Sequence, residues 1–150
     1  MKLAEALIMR ADLKNKISQV KSRIIQNAKV QEGDEPTEDP AELLVKYDAL
    51  MSEFEALVVR VNRTNAAAEF EAGRLIDAIA ERDCLKTRIS TYRDVCDKAS
   101  VMRERGFGSD YKFIRCVDVT ELRKQIDELS KQYREIDTKI QGINWTIDLI

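Results

Sequence analysis

Nine apolar residues near the end of the chain alternate steps of three and four without a miss: Val119, Leu122, Ile126, Leu129, Tyr133, Ile136, Ile140, Ile143 and Ile147. Only a helix brings that spacing onto one face. A sustained heptad seam further predicts a left-handed coiled-coil contact with another helix. Asp118 and Glu121 frame its start as a capping box, an acid at the N-cap with Glu three residues on. A helix over about 119–148 follows.

The rest of the chain repeats the pattern. Leu43, Tyr47, Leu50, Phe54, Leu57 and Val61 form a second seam, widened by Leu44, Met51 and Val58. A stripe that wide serves two neighbours, where a narrow one needs a single partner. Asp39, Pro40 and Glu42 supply N-cap, N1 proline and N3 glutamate for this helix, over about 41–64. Helix one, over about 2–27, rests on Leu3, Ala6, Leu13, Ile17, Val20 and Ile24. Helix three, over about 74–103, rests on Ala78, Leu85, Ile89, Tyr92, Cys96 and Ala99. Both of these seams carry polar interruptions, Arg10 and Asn27 in the first and Arg82 in the third.

Four such helices make an all-α fold: long antiparallel hairpins in a four-helix coiled-coil bundle, a single domain over 1–150. A charged fraction of 35% with only 5 Gly and 2 Pro suits long helices with few turns. Between helices, Ala66 to Gly73 reads as a connection with a short helical turn. Lys112 to Val117, after Gly106-Phe107-Gly108-Ser109, is β-branched and aromatic enough for a short strand. Ala28 to Gln31 is a second strand candidate, and the two would pair as a small β cap at the loop end. Helices of 25–30 residues span roughly 40 Å, long for one 150-residue chain to bury alone, so a homo-oligomer is expected.

The available chemistry is narrow. The chain has no histidine, which removes the usual general base and any standard His-containing metal site. It has no Cys-x-x-Cys, P-loop or Gly-x-Gly-x-x-Gly, so no metal or cofactor is expected and no catalytic residue is assigned. Cys84, Cys96 and Cys116 form no close pair and read as small core residues of a protein kept in a reducing, cytoplasmic setting. The start lacks a signal peptide's apolar run, and no stretch approaches a membrane span.

One constellation remains. Counted along an up-down-up-down bundle, Arg10, Asp12, Asn62, Asn65, Arg82, Asp83, Asn144 and Trp145 fall toward the same end. Buried arginines need partners, and Asp12, Asp83 and the asparagine amides are at hand. The plain reading is a set of register devices. The sharper alternative is a pocket for a small anionic ligand, which arginine holds bidentately, with a binder or an enzyme acting on it as the outcome. Trp145 itself reads more as a core residue than as a stacking platform.

Helix one offers a third reading. From Lys2 to Lys29 there are seven basic residues, with Lys14–Lys21 and Lys16–Arg23 at heptad spacing. Such stripes can grip nucleic-acid phosphates. No aromatics interleave with them, and from Glu32 to Glu42 come six acidic residues that could fold back on the helix. A solvated or self-neutralised face is the better account, so nucleic acid is disfavoured as a partner. A protein partner, above all a second copy, is the default.

Several segments resemble the septicolysin-like family of small bacterial proteins: Met1 to Leu7, Arg10-Ala11-Asp12-Leu13, Asn27 to Gly33, Val61 to Asn65, Ala80-Glu81-Arg82-Asp83, Val117-Asp118-Val119 and Asn144-Trp145. The resemblance covers essentially the whole chain. It departs after Gly73, where Arg74-Leu75 stands in place of Thr-Leu, and around Gly106. It implies a bacterial helical protein of no established activity. The family's name suggests a cytolysin, but this sequence has neither an export signal nor an apolar segment to insert in a bilayer.

Overall fold

The structure is a computed structural model that describes residues 1–102 and 112–150. It is all-α in its main elements: α1 (Leu3–Gln26), α2 (Pro40–Ala67), α3 (Leu75–Ser100) and α4 (Val119–Asn144). Between α2 and α3 lies a two-stranded hairpin, β1 (Glu69–Phe70) and β2 (Gly73–Arg74). The chain divides into two compact units, Met1–Glu69 with Gly142–Ile150, and Phe70–Gln141.

In the first unit α1 and α2 form a hairpin. Asp39 caps α2 by accepting the Ala41 N–H at 2.8 Å, with Pro40 as first residue. Asn27, an interruption of the α1 seam, closes that helix. It is 9% exposed, donates its amide to the Arg23 carbonyl at 2.9 Å and accepts the Glu38 N–H at 3.1 Å. One side chain thus ends α1 and receives the chain returning toward α2. Between them Gly33 takes φ +92°, a conformation that favours glycine. At the other end of the hairpin, the Leu3 N–H donates to Ile147 O and the Leu149 N–H to Met1 O, both at 2.9 Å. Lys2 pairs with Asp148 at 2.9 Å.

This clamp corrects the expected end of the last helix. The backbone leaves α4 at Asn144, not near 148, because residues 147–149 pair with the start of α1 and bury Leu149. Other helix ends shift less, α2 running on to Ala67 and α3 ending at Ser100. The expected limit of helix three at Arg103 and the Gly106–Ser109 stretch lie outside the described residues.

In the second unit α3 and α4 run antiparallel. Arg82, early in α3, meets Asp137, late in α4, whereas Arg115, just before α4, donates to Ala99 O near the end of α3. Leu85, Ile89, Cys96, Ile126 and Leu129 form the core, flanked by Tyr92, Val119, Leu122, Tyr133 and Ile136. The heptad residues therefore supply the contact. Asp118 caps α4, accepting the Glu121 N–H at 3.0 Å.

The β element differs from expectation in place. Neither 28–31 nor 112–117 is a strand. In the latter Ile114 is 83% exposed, so a strand there would have no buried face to hold it. The sheet forms instead within the α2–α3 connection, where a helical turn was expected. There Phe70 is buried, and Glu71 turns the chain at φ 48° while pairing with Lys139.

Candidate functional site

Arg82 is the best-embedded charge of the expected constellation. Its guanidinium donates to Asp83 Oδ1 from Nε at 2.9 Å and Nη2 at 2.8 Å, and from Nη1 to Asp137 Oδ1 at 3.4 Å. Its side chain is 23% exposed. Partial burial opposes the charge, yet the two carboxylates more than offset that and hold the arginine above its ordinary pKa. Asp83 was foreseen as a partner. Asp137 was not, because it sits beside the α4 seam and only the interhelical register brings it to Arg82.

The other expected residues belong to the first unit. Arg10, Asp12 and Asn62 are exposed, Asn65 is half-buried, and Trp145 is 57% exposed and so no core residue. Asn144 is buried, with its Oδ1 unpartnered among the described residues. Arg10 is thus no core arginine, since its seam position faces solvent. On the basic face of α1, Arg23 is tied to Glu38 of the acidic loop by a two-pronged pair, with Nε to Oε2 at 2.8 Å. The hydrogen bond holds the Glu38 carboxyl below its ordinary range. The acidic segment does fold back on α1 there, leaving that stripe partly neutralised. Among the cysteines only Cys96 is buried, while Cys84 and Cys116 are exposed, contrary to their reading as core.

Two features had no sequence forecast as sites. The first is a groove of about 590 Å³ on the α3–α4 hairpin, floored by Ile89 and bordered by Lys86, Arg93, Arg134 and Tyr133. Its signal was present in the sequence as polar residues beside the seams, but such residues usually face only water. The second is apolar: along α2, Leu44, Val45, Met51 and Val59 are 49%, 71%, 37% and 39% exposed. Of the residues that widened the α2 seam, Leu44 and Met51 are thus exposed and Val58 is half-buried.

Among the described residues no cluster of His, Cys, Asp or Glu could hold a metal ion. None of their helices is long and apolar enough to cross a membrane.

The sequence matches the family of unknown function DUF6847 over residues 10–149. This chain belongs to that family. It is also similar to a solved structure, the crystal structure of a functionally unknown conserved protein from Corynebacterium diphtheriae. The two are 37% identical, the match covers 100% of this chain and 99% of that one, and the TM-score is 0.87. No curated protein matches. The DUF6847 fold is thereby shared with a solved relative.

Proposed function

We propose that this DUF6847 protein is a cytoplasmic, self-assembling helical module that joins a second copy of itself through the outer face of α2. The uncovered apolar stripe at Leu44, Met51 and Val59 supports this reading most directly. Leu44, Met51 and Val58 recur at heptad spacing, the period at which knobs of one helix enter holes of another. A two-fold axis near Met51 makes the stripe self-complementary, so each copy supplies both knobs and holes. In that antiparallel pairing the basic end of α2, with Arg60 and Arg63, faces the acidic beginning with Glu42 of the other copy. The two helical hairpins would then complete a coiled-coil assembly between chains.

The anionic-ligand reading of the Arg82 cluster is weaker. Asp83 and Asp137 already meet its charge, and an incoming anion would have to displace them and face their repulsion. The nucleic-acid reading loses Arg23 to Glu38.

Light scattering at micromolar concentration tests the assembly. The expected mass is a multiple of 17.2 kDa, falling toward the monomer in the double variant Leu44→Glu, Met51→Glu with helical circular dichroism retained. A wild-type monomer overturns the proposal.

A further inference from the structure

The groove between α3 and α4 carries a donor set with no structural employment. Lys86, Arg93 and Arg134 line it, and none of their side chains enters an ion pair or hydrogen bond among the described residues. Arg82, one turn before Lys86, shows the contrast, since two carboxylates hold it. The Ser130 hydroxyl also lines the groove, is shielded from solvent and has no hydrogen-bond partner among the described residues. A buried hydroxyl left unpaired is costly, and helical serine ordinarily escapes by bonding the carbonyl four residues back. Ser22, Ser52 and Ser100 all do so here. Ser130 does not.

The groove is also polar along its length. Because Arg82 meets Asp137 across antiparallel helices, Lys86 stands level with Tyr133 and next to Arg134, and Ile89 stands level with Ser130. One end therefore gathers two cations and a phenol, and the unpaired hydroxyl follows about one turn on. Toward the other end, about 12 and 16 Å from Lys86 by helical rise, stand the carboxylates of Asp94 and Asp97, with Arg93 next to Asp94. A volume of about 590 Å³ suits a ligand of nucleotide size.

We propose that this groove is a binding site for a small phosphate ester bearing hydroxyl or amino groups at its far end, the chemistry of a nucleoside monophosphate. Lys86 and Arg134 hold the phosphate, with the Tyr133 hydroxyl and the Ser130 hydroxyl, once rotated outward about χ1, donating to its oxygens. Ile89 and the Tyr133 ring carry the apolar middle of the ligand. Asp94 and Asp97 accept from its hydroxyls or amine. The site is independent of the α2 face, so either reading can fail without the other.

Calorimetry at low salt with adenosine monophosphate, ribose 5-phosphate, inorganic phosphate and adenosine tests it. The nucleotide and the sugar phosphate should bind, adenosine at least tenfold more weakly than its monophosphate. Arg134→Gln should weaken the nucleotide at least tenfold, whereas Arg88→Gln, an exposed arginine on the far side of α3 from Lys86, should leave it unchanged. Ser130→Ala should weaken binding severalfold without lowering the melting temperature of the ligand-free protein, because it removes an unsatisfied hydroxyl. The proposal is overturned if none of the phosphates binds at millimolar concentration, or if adenosine binds as well as its monophosphate. Equal weakening by Arg88→Gln and Arg134→Gln overturns it too, since that marks diffuse charge attraction. So does an Arg134→Gln variant that is folded by circular dichroism and binds as wild type.

Discussion

Arg82 on α3 reaches Asp137 on α4, fifty-five residues away in sequence, at 3.4 Å while also gripping its neighbour Asp83. That contact marks which turn of one helix stands beside which turn of the other, and the levels of Lys86 with Tyr133 and of Ile89 with Ser130 follow from it by helical rise.

Removing this arginine leaves two carboxylates beside each other in a half-buried place. Arg82→Ala should lower stability by on the order of 1 kcal/mol, after discounting the solvent-facing Asp83 side. Urea unfolding measures it. A double-mutant cycle with Asp137→Ala should return a coupling of roughly 0.5 kcal/mol. A coupling near zero would mean that packing alone sets the register.

The core of the same hairpin is apolar. Leu85 and Ile126 are 7% and 8% exposed. Replacing either by alanine should cost about 2–4 kcal/mol in denaturant unfolding, from lost transfer energy and the cavity left behind.

Thr64 is fully buried, donates to Arg60 O at 2.9 Å and accepts the Ile150 N–H at 3.0 Å. Thr64→Val keeps the shape but leaves that N–H without its acceptor. A loss of about 1–2 kcal/mol is expected, together with faster amide exchange at Ile150 by nuclear magnetic resonance. Unchanged exchange there would show that the threonine does not hold the segment.

Two surface carboxylates set an acid limb. Hydrogen bonds from Arg23 to Glu38 and from Lys2 to Asp148 hold both below their ordinary values of 4.5 and 3.8. Such groups stabilise the fold above those values and lose that contribution as pH falls through the lower, folded values. Carboxyl chemical shifts should titrate below the ordinary range at both residues. Glu38→Gln should flatten the decline of stability on the acid side, and Arg23→Gln should return Glu38 toward its usual value.

Thiol reactivity separates the cysteines. Cys84 and Cys116 should react with Ellman's reagent in the native protein, and Cys96, at 4% exposure, only after unfolding. Three fast thiols would mean that the α3–α4 core opens readily.

The sequence by itself determined what is local. Heptad spacing identified all four helices, and Asp39-Pro40 and Asp118 marked two starts, because periodicity and capping act within a few turns of one segment. The same spacing named the residues that bury between α3 and α4, Leu85, Ile89, Ile126 and Leu129 among them. It could not separate a seam position that is covered from one that faces water. Arg10 and Arg82 looked alike in the sequence, yet one is exposed and the other held by two carboxylates. Nor could helical period foresee that residues 147–149 leave the helix, since their reward comes from Met1 to Leu3, far away in the chain. Only the tertiary structure decided these points, because register and cover arise when distant segments pack and exclude water together. The α2 stripe and the Lys86–Arg134 groove come from the same source: side chains that the fold brings to a surface without partners among the described residues.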